Sequence, residues 1–288
     1  MSSIPLFFTA ERNPIVPSPG KRLGCERISA FPKLAQVTPA SRLTVQPAPE
    51  MVPSGVRELD ALTGGWPRGC LSEIYGAASS GRTSVLLAAL GAATERQEAC
   101  ALVDAGDVLD PASAATAGVN FERLLWARCD AHPKNPPPRH QNTEGKNITS
   151  NSQMMYAVEQ ALRVTDLLLQ SGGFGLVVID LGSVPYRTAR RIPLTSWFRF
   201  QRAVEHTPTV LLLVTLAPCA QTCATVLLKL SAIGCQLSAE ECDHARKDPA
   251  HAQLLGKLSI EAELLRSRLR KPVRSVTTAF ETKTLCAG

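Results

Sequence analysis

The sequence predicts an α/β fold, a parallel sheet covered by helices on both faces, and three observations carry that prediction. Short apolar runs suited to buried strands alternate with stretches of helical period. A glycine-rich turn, Gly76 to Ser84 (GAASSGRTS), lies between such a run and a helix. A later run, Gly175 to Asp180, is apolar until it ends in a carboxylate.

Composition bounds the reading. The chain has 288 residues, 44% of them apolar, enough for a sizeable core. Its net charge of +6 and pI near 8.9 permit a polyanionic partner. The N-terminus lacks the basic and apolar regions of a signal peptide, and no stretch approaches a membrane span. A cytoplasmic protein with mostly reduced cysteines is expected, with Cys70, Cys100 and Cys129 as small core residues. Cys219, Cys223, Cys235, Cys242 and His244 do not have the spacing of a zinc ligand set, so zinc is not expected.

In chain order, residues 1–52 are proline-rich without strand or helix period, which predicts a disordered tail. The core is expected over 53–282, with residues 283–288 a short tail. Val56, Leu59 and Leu62 have helical spacing, and Gly64-Gly65 ends that helix. Trp66 to Gly69 turns the chain into a first strand at Cys70–Tyr75. After the glycine-rich turn and the helix that includes Val85–Leu90 comes a second buried strand, Ala99–Asp104. Asp110-Pro111 opens a short helix, since proline is tolerated in a first turn. Leu124–Ala127 is a third strand. Residues 130–152, rich in proline and polar side chains, predict a mobile surface insertion.

A helical stripe follows through Met154, Val158, Ala161, Leu162, Thr165, Leu168 and Leu169, the methionines serving as packing. After strand Gly175–Asp180, the stretch 183–202 interleaves arginines with rings. Trp197, Phe200 and Val204 have the spacing of a helix core face. Arg187, Arg190 and Arg191, on the preceding loop, form a candidate DNA-binding patch. Thr209–Leu216 is a further strand and Thr225–Leu230 another, with 235–253 polar surface. Leu258–Leu264 alternates as a half-exposed strand. A basic run, 266–271, follows, read as a solvated edge or a contact to nucleotide or DNA. Val273–Phe280 is its hairpin partner.

The chemistry centres on the glycine-rich turn. Gly76 and Gly81 have the spacing of G-x-x-x-x-G-K-[ST], a loop whose N–H groups cradle phosphates at a helix N-terminus. The candidate nucleotide-binding residues are Gly76, Ser79, Ser80, Gly81, Arg82, Thr83, Ser84 and Asp180. Thr83 stands at a magnesium-ligand position, and Asp180 can hold a magnesium-bound water. Arg82 replaces the lysine, exchanging a compact ammonium for a larger planar head.

The stretch SGVRELDALTGGWPRGCLSEIYGAASSGRTS resembles the start of the core of the RecA family. The resemblance continues through ALVDAGDVLDP, AGVNFERLL and LVVID to AELLRSRLRKPVRSVTTAF, covering residues 51–282. It implies a RecA-like P-loop core with antiparallel strands at the C-terminal edge, and ATP bound with magnesium. It also implies a site between subunits, with Arg266 and Arg268 reaching the neighbour's nucleotide, and single-stranded DNA as partner. Where the family places its water-orienting glutamate stands Gly106, with Asp107 beside it as the candidate catalytic carboxylate. Ser113 stands for the adenine-stacking ring, and Leu216 for the γ-phosphate-sensing glutamine.

The shortened form is similar to ImuA, the RecA-like protein of bacterial mutagenesis cassettes. That likeness implies an accessory factor in DNA damage tolerance and the SOS response. Its expected partners are a Y-family polymerase homologue, a damage-induced replicative-type polymerase and RecA, and its expected ATPase is weak or lost. The other expectation is an active DNA-dependent ATPase that exchanges strands in recombination.

Overall fold

A computed structural model describes residues 48–129, 150–237, 255–269 and 276–283. Two short strands, β1 (Met51–Val52) and β2 (Trp66–Pro67), pair antiparallel around helix α1 (Arg57–Thr63). Ser54 and Asp60 tie the entry to α1, the Ser54 N–H donating to Asp60 Oδ1 at 2.8 Å. Gly64 closes α1 in the left-handed conformation, as its sequence position predicts. The first pairing therefore starts just ahead of residue 53, and Trp66-Pro67 is a strand, not only a turn.

The main sheet has eight strands: β3 (Cys70–Gly76), β4 (Cys100–Asp104), β5 (Leu124–Arg128), β6 (Leu176–Asp180), β7 (Val210–Thr215), β8 (Val226–Leu237), β9 (Leu255–Ser267) and β10 (Val276–Lys283). Their spatial order is β10-β9-β8-β3-β7-β6-β4-β5. Six are parallel, from β8 to β5, and β9 and β10 add antiparallel at the other edge. The fold is thus the mixed, mostly parallel α/β core that the strand–helix alternation predicts.

Helix α2 (Arg82–Glu95) buries Val85, Leu86, Ala89, Leu90 and Ala93 against one face of the sheet, where Ile74, Leu102, Val178 and Leu212 meet them. Helices α4 (Ser150–Ser171) and α6 (Leu194–Val204) cover the other face. There Trp197 and Phe200 pack edge to face at 6.0 Å, on the stripe expected of them. Met154 packs against the same core. Two short helices, α3 (Pro111–Thr116) and α5 (Tyr186–Ala189), cap strand ends, with Asp110 as the N-cap of α3. No helix among the described residues is long and apolar enough to cross a membrane.

Four expectations need correction. β8 runs to Leu237, past the Leu230 limit, because β9 supplies a partner along its length, so strand reaches into the stretch that begins at 235. α4 begins at Ser150, inside the stretch assigned to the insertion. Arg187 lies on a short helix and not on a loop. Cys70 opens β3 half-buried, whereas Cys100 and Cys129 are in the core. The tail at 1–47, the insertion at 130–149, Cys242 and His244 lie outside the described residues.

Candidate functional site

β3 is buried along most of its length, and its last residue, Gly76, begins the loop. A Cβ on Gly76 would strike Ser80 Oγ and the Leu230 carbonyl, so the loop closes only around a glycine. Ser79 and Gly81 take positive φ, +60° and +88°, which folds the chain back on itself before α2 begins at Arg82. A Cβ on Gly81 would fall within the side chain of Ile260 from β9. The C-terminal antiparallel strands thus press on the loop from the side. The loop opens into a cavity of about 630 Å³ whose other wall is Ile233, Gly234 and Leu258.

Two buried polar atoms at this loop lack a protein partner, Ser80 Oγ and Arg82 Nε. Buried donors left unsatisfied cost about 1–3 kcal/mol each, and the loop holds two of them beside the cavity. Arg82 NH1 donates to the Gly182 carbonyl at 3.2 Å. Its guanidinium lies beside Asp180; burial pulls its pKa down, and the Asp180 charge offsets part of that.

Asp180 ends β6, and its Oδ1 accepts from Gly182 N–H at 2.7 Å. Burial pushes its carboxyl up to about 6; the Asp104 charge adds to the rise, while the Gly182 hydrogen bond and Arg82 oppose it. Thr83 is exposed on the first turn of α2. The donor set does not fit a magnesium ion. Asp180 already has a guanidinium nearby and a backbone N–H on one oxygen.

Asp104, register partner of Asp180, is buried at the tip of β4. Its oxygens accept from the N–H groups of Gly106, Val108 and Leu109, at 3.1, 2.9 and 2.9 Å. Asp107 stands at the crest of that turn with φ +52°. Both its oxygens accept from Arg128, each at 2.6 Å, and the guanidinium holds its carboxyl below the usual range. Arg128 in turn lies 4.8 Å over the Trp126 ring. A water-orienting role for Asp107 would require this bidentate pair to open.

Between β3 and β6 lies β7, whose end leads into half-buried Leu216. An apolar side chain there has no hydrogen bond to offer a phosphate. Ser113 turns its hydroxyl to Asp110, at 2.6 Å, and serves the α3 cap.

Sequence reasoning missed Glu73. It is wholly buried on β3, and its carboxylate accepts from Cys219 N–H at 2.7 Å, from Ala220 N–H at 3.3 Å and from Thr215 Oγ1 at 3.3 Å. A charged residue within a buried strand was the available signal; its partners lie far along the chain. Arg266 donates to the Gln221 carbonyl in the same connection, and burial with the Arg268 charge lowers its pKa. Arg268 is exposed, and its N–H donates to Thr225 O at 3.0 Å. Arg187, Arg190 and Arg191 are exposed around α5, close in sequence to the exposed Tyr186. Among the described residues no group of three metal-binding side chains occurs.

Comparison with known proteins agrees with this geometry. Residues 40–135 match the RecA N-terminal domain family. RecA of Levilactobacillus brevis is 36% identical over 133 residues, 46% of this chain and 28% of that protein. RecA of Kineococcus radiotolerans is 35% identical over 138 residues, 47% of this chain and 32% of that protein. RecA of Bacillus velezensis is 35% identical over 131 residues, 45% and 30% respectively. The matched stretch spans less than a third of the length of those relatives. The family match ends at residue 135, ahead of Asp180, Arg266 and Arg268. The core is therefore RecA-like in fold, and over its first part the chain is similar in sequence to the RecA N-terminal domain.

Proposed function

We propose that this protein is a RecA-like accessory factor in DNA damage tolerance that binds a nucleotide at Gly76–Ser84 and hydrolyses it weakly or not at all. The observation that carries the reading is the phosphate loop itself: a cradle with unpartnered buried Ser80 Oγ and Arg82 Nε. Its surroundings lack positioned chemistry. Asp107 is engaged by Arg128, and Leu216 has no polar group. Rate acceleration in phosphoryl transfer comes almost entirely from positioning and charge, so these substitutions act on the transition state more than on binding.

The role is that of a binding platform in translesion synthesis, working in the cytoplasm. Its partners in this reading are a Y-family polymerase homologue, a damage-induced replicative-type polymerase, RecA and single-stranded DNA. Exposed Tyr186 and Phe198, with Arg187, Arg190 and Arg191, support a contact surface on the α5–α6 side. The likeness to RecA proteins supports the DNA repair setting.

The test is phosphate release from ATP by the purified chain, with and without single-stranded DNA. Alongside it run Arg82→Lys and Asp107→Ala. The expected result is release near background for the natural chain, unchanged by Asp107→Ala. DNA-stimulated release that Asp107→Ala abolishes would instead make the protein an active ATPase of the recombination type.

A further inference from the structure

We propose that Arg82 takes the place of the divalent cation at this site, so that the loop binds the di- or triphosphate chain of a nucleotide without metal. The inference rests on the nucleotide reading and adds to it the form in which the ligand arrives.

A metal-bound nucleotide brings its own counter-charge, which a strand-end aspartate holds through water. Here one oxygen of the aspartate is already engaged and a guanidinium stands nearby. The position a Cβ would take on Gly182 lies 2.8 Å from Asp180 Oδ1 and 2.9 Å from Arg82 NH1, so both atoms lie against the same backbone residue. The NH1 group is anchored on the Gly182 carbonyl, and Oδ1 is occupied by the Gly182 N–H. The aspartate thus has a permanently charged guanidinium held on the neighbouring Gly182, close to where a hydrated ion would need room.

The same guanidinium has a second edge. Its Nε is buried and unpartnered, as is Ser80 Oγ in the loop. A phosphate oxygen can accept from Nε, whereas a metal ion cannot, since Nε only donates. One planar group then links ligand and aspartate, a task a single ammonium cannot perform with the same geometry.

The experiment titrates the full chain with methylanthraniloyl-ATP, once in magnesium and once in EDTA. The natural chain is expected to bind with affinities within about threefold of each other, and inorganic tripolyphosphate to compete in EDTA. Arg82→Lys, checked for folding by its melting curve, is expected to prefer magnesium by about tenfold or more. If that variant does not fold, Asp180→Asn replaces it and is expected to hold or tighten binding in EDTA. A fall of about tenfold for the natural chain in EDTA overturns the inference and leaves the nucleotide reading standing. So does Arg82→Lys behaving as metal-independently as the natural chain, or Asp180→Asn losing its binding in EDTA. No binding in either buffer overturns both.

Discussion

Glu73 shows how much one residue can decide. It has no exposed surface, and burial raises its carboxyl above the ordinary value of 4.5 despite the N–H groups of Cys219 and Ala220. A carboxyl whose folded pKa is raised binds its proton more tightly in the native state than in the unfolded chain. Its contribution to stability is therefore complete below pH 4.5 and declines as pH rises through the folded value. Glu73→Gln keeps the shape and removes the titration. Melting curves of both proteins between acid and neutral pH are expected to shift in favour of the glutamine variant as pH rises. A constant offset across that range would mean that Glu73 does not titrate there. Arg82 and Asp107 are the opposite case. One is hydrogen-bonded to the Gly182 carbonyl, the other clasped by Arg128 at the surface. Both departures are visible in the sequence as residue types, but which neighbour each side chain has chosen is not.

The elements that build the site were mostly legible. Strand β6 and its terminal Asp180, the turn at Gly81 and the buried stripe of α6 follow from local pattern, because each is decided by neighbours within a few residues. What stayed hidden depends on residues distant in the chain. The length of β8 is set by β9, and the seat of Gly81 by Ile260. That seat makes a prediction. Gly81→Ala suffers twice, from a left-handed backbone at φ +88° and from collision with Ile260. Ile260→Ala alone opens a cavity and is expected to cost about 2–4 kcal/mol. In the double variant the cavity receives the new methyl group. Urea melts are expected to show a loss smaller than the sum of the two single losses by about 1 kcal/mol. Simple additivity would mean that β9 does not press on the loop.

At the scale of the whole molecule, the eight-stranded sheet separates two apolar layers, and its parallel strands end together at the rim that carries Gly76, Asp104 and Asp180. The net charge of +6 makes any contact with nucleic acid sensitive to salt. Fluorescence anisotropy with a single-stranded oligonucleotide is expected to give affinities that fall steeply with salt. Replacing Arg187, Arg190 and Arg191 together by alanine is expected to reduce the log–log slope by about 2. An unchanged slope would remove those arginines from the interface. The same architecture has a mechanical consequence. Gly81 rests on Ile260 of β9; Arg266 of that strand grips the Gln221 carbonyl; Ala220, next in the chain, is held by Glu73; and Glu73 lies three residues before Gly76. The contacts form a closed truss around the loop. A truss shares a load among its members, so a pull on any one of them is felt at the cradle.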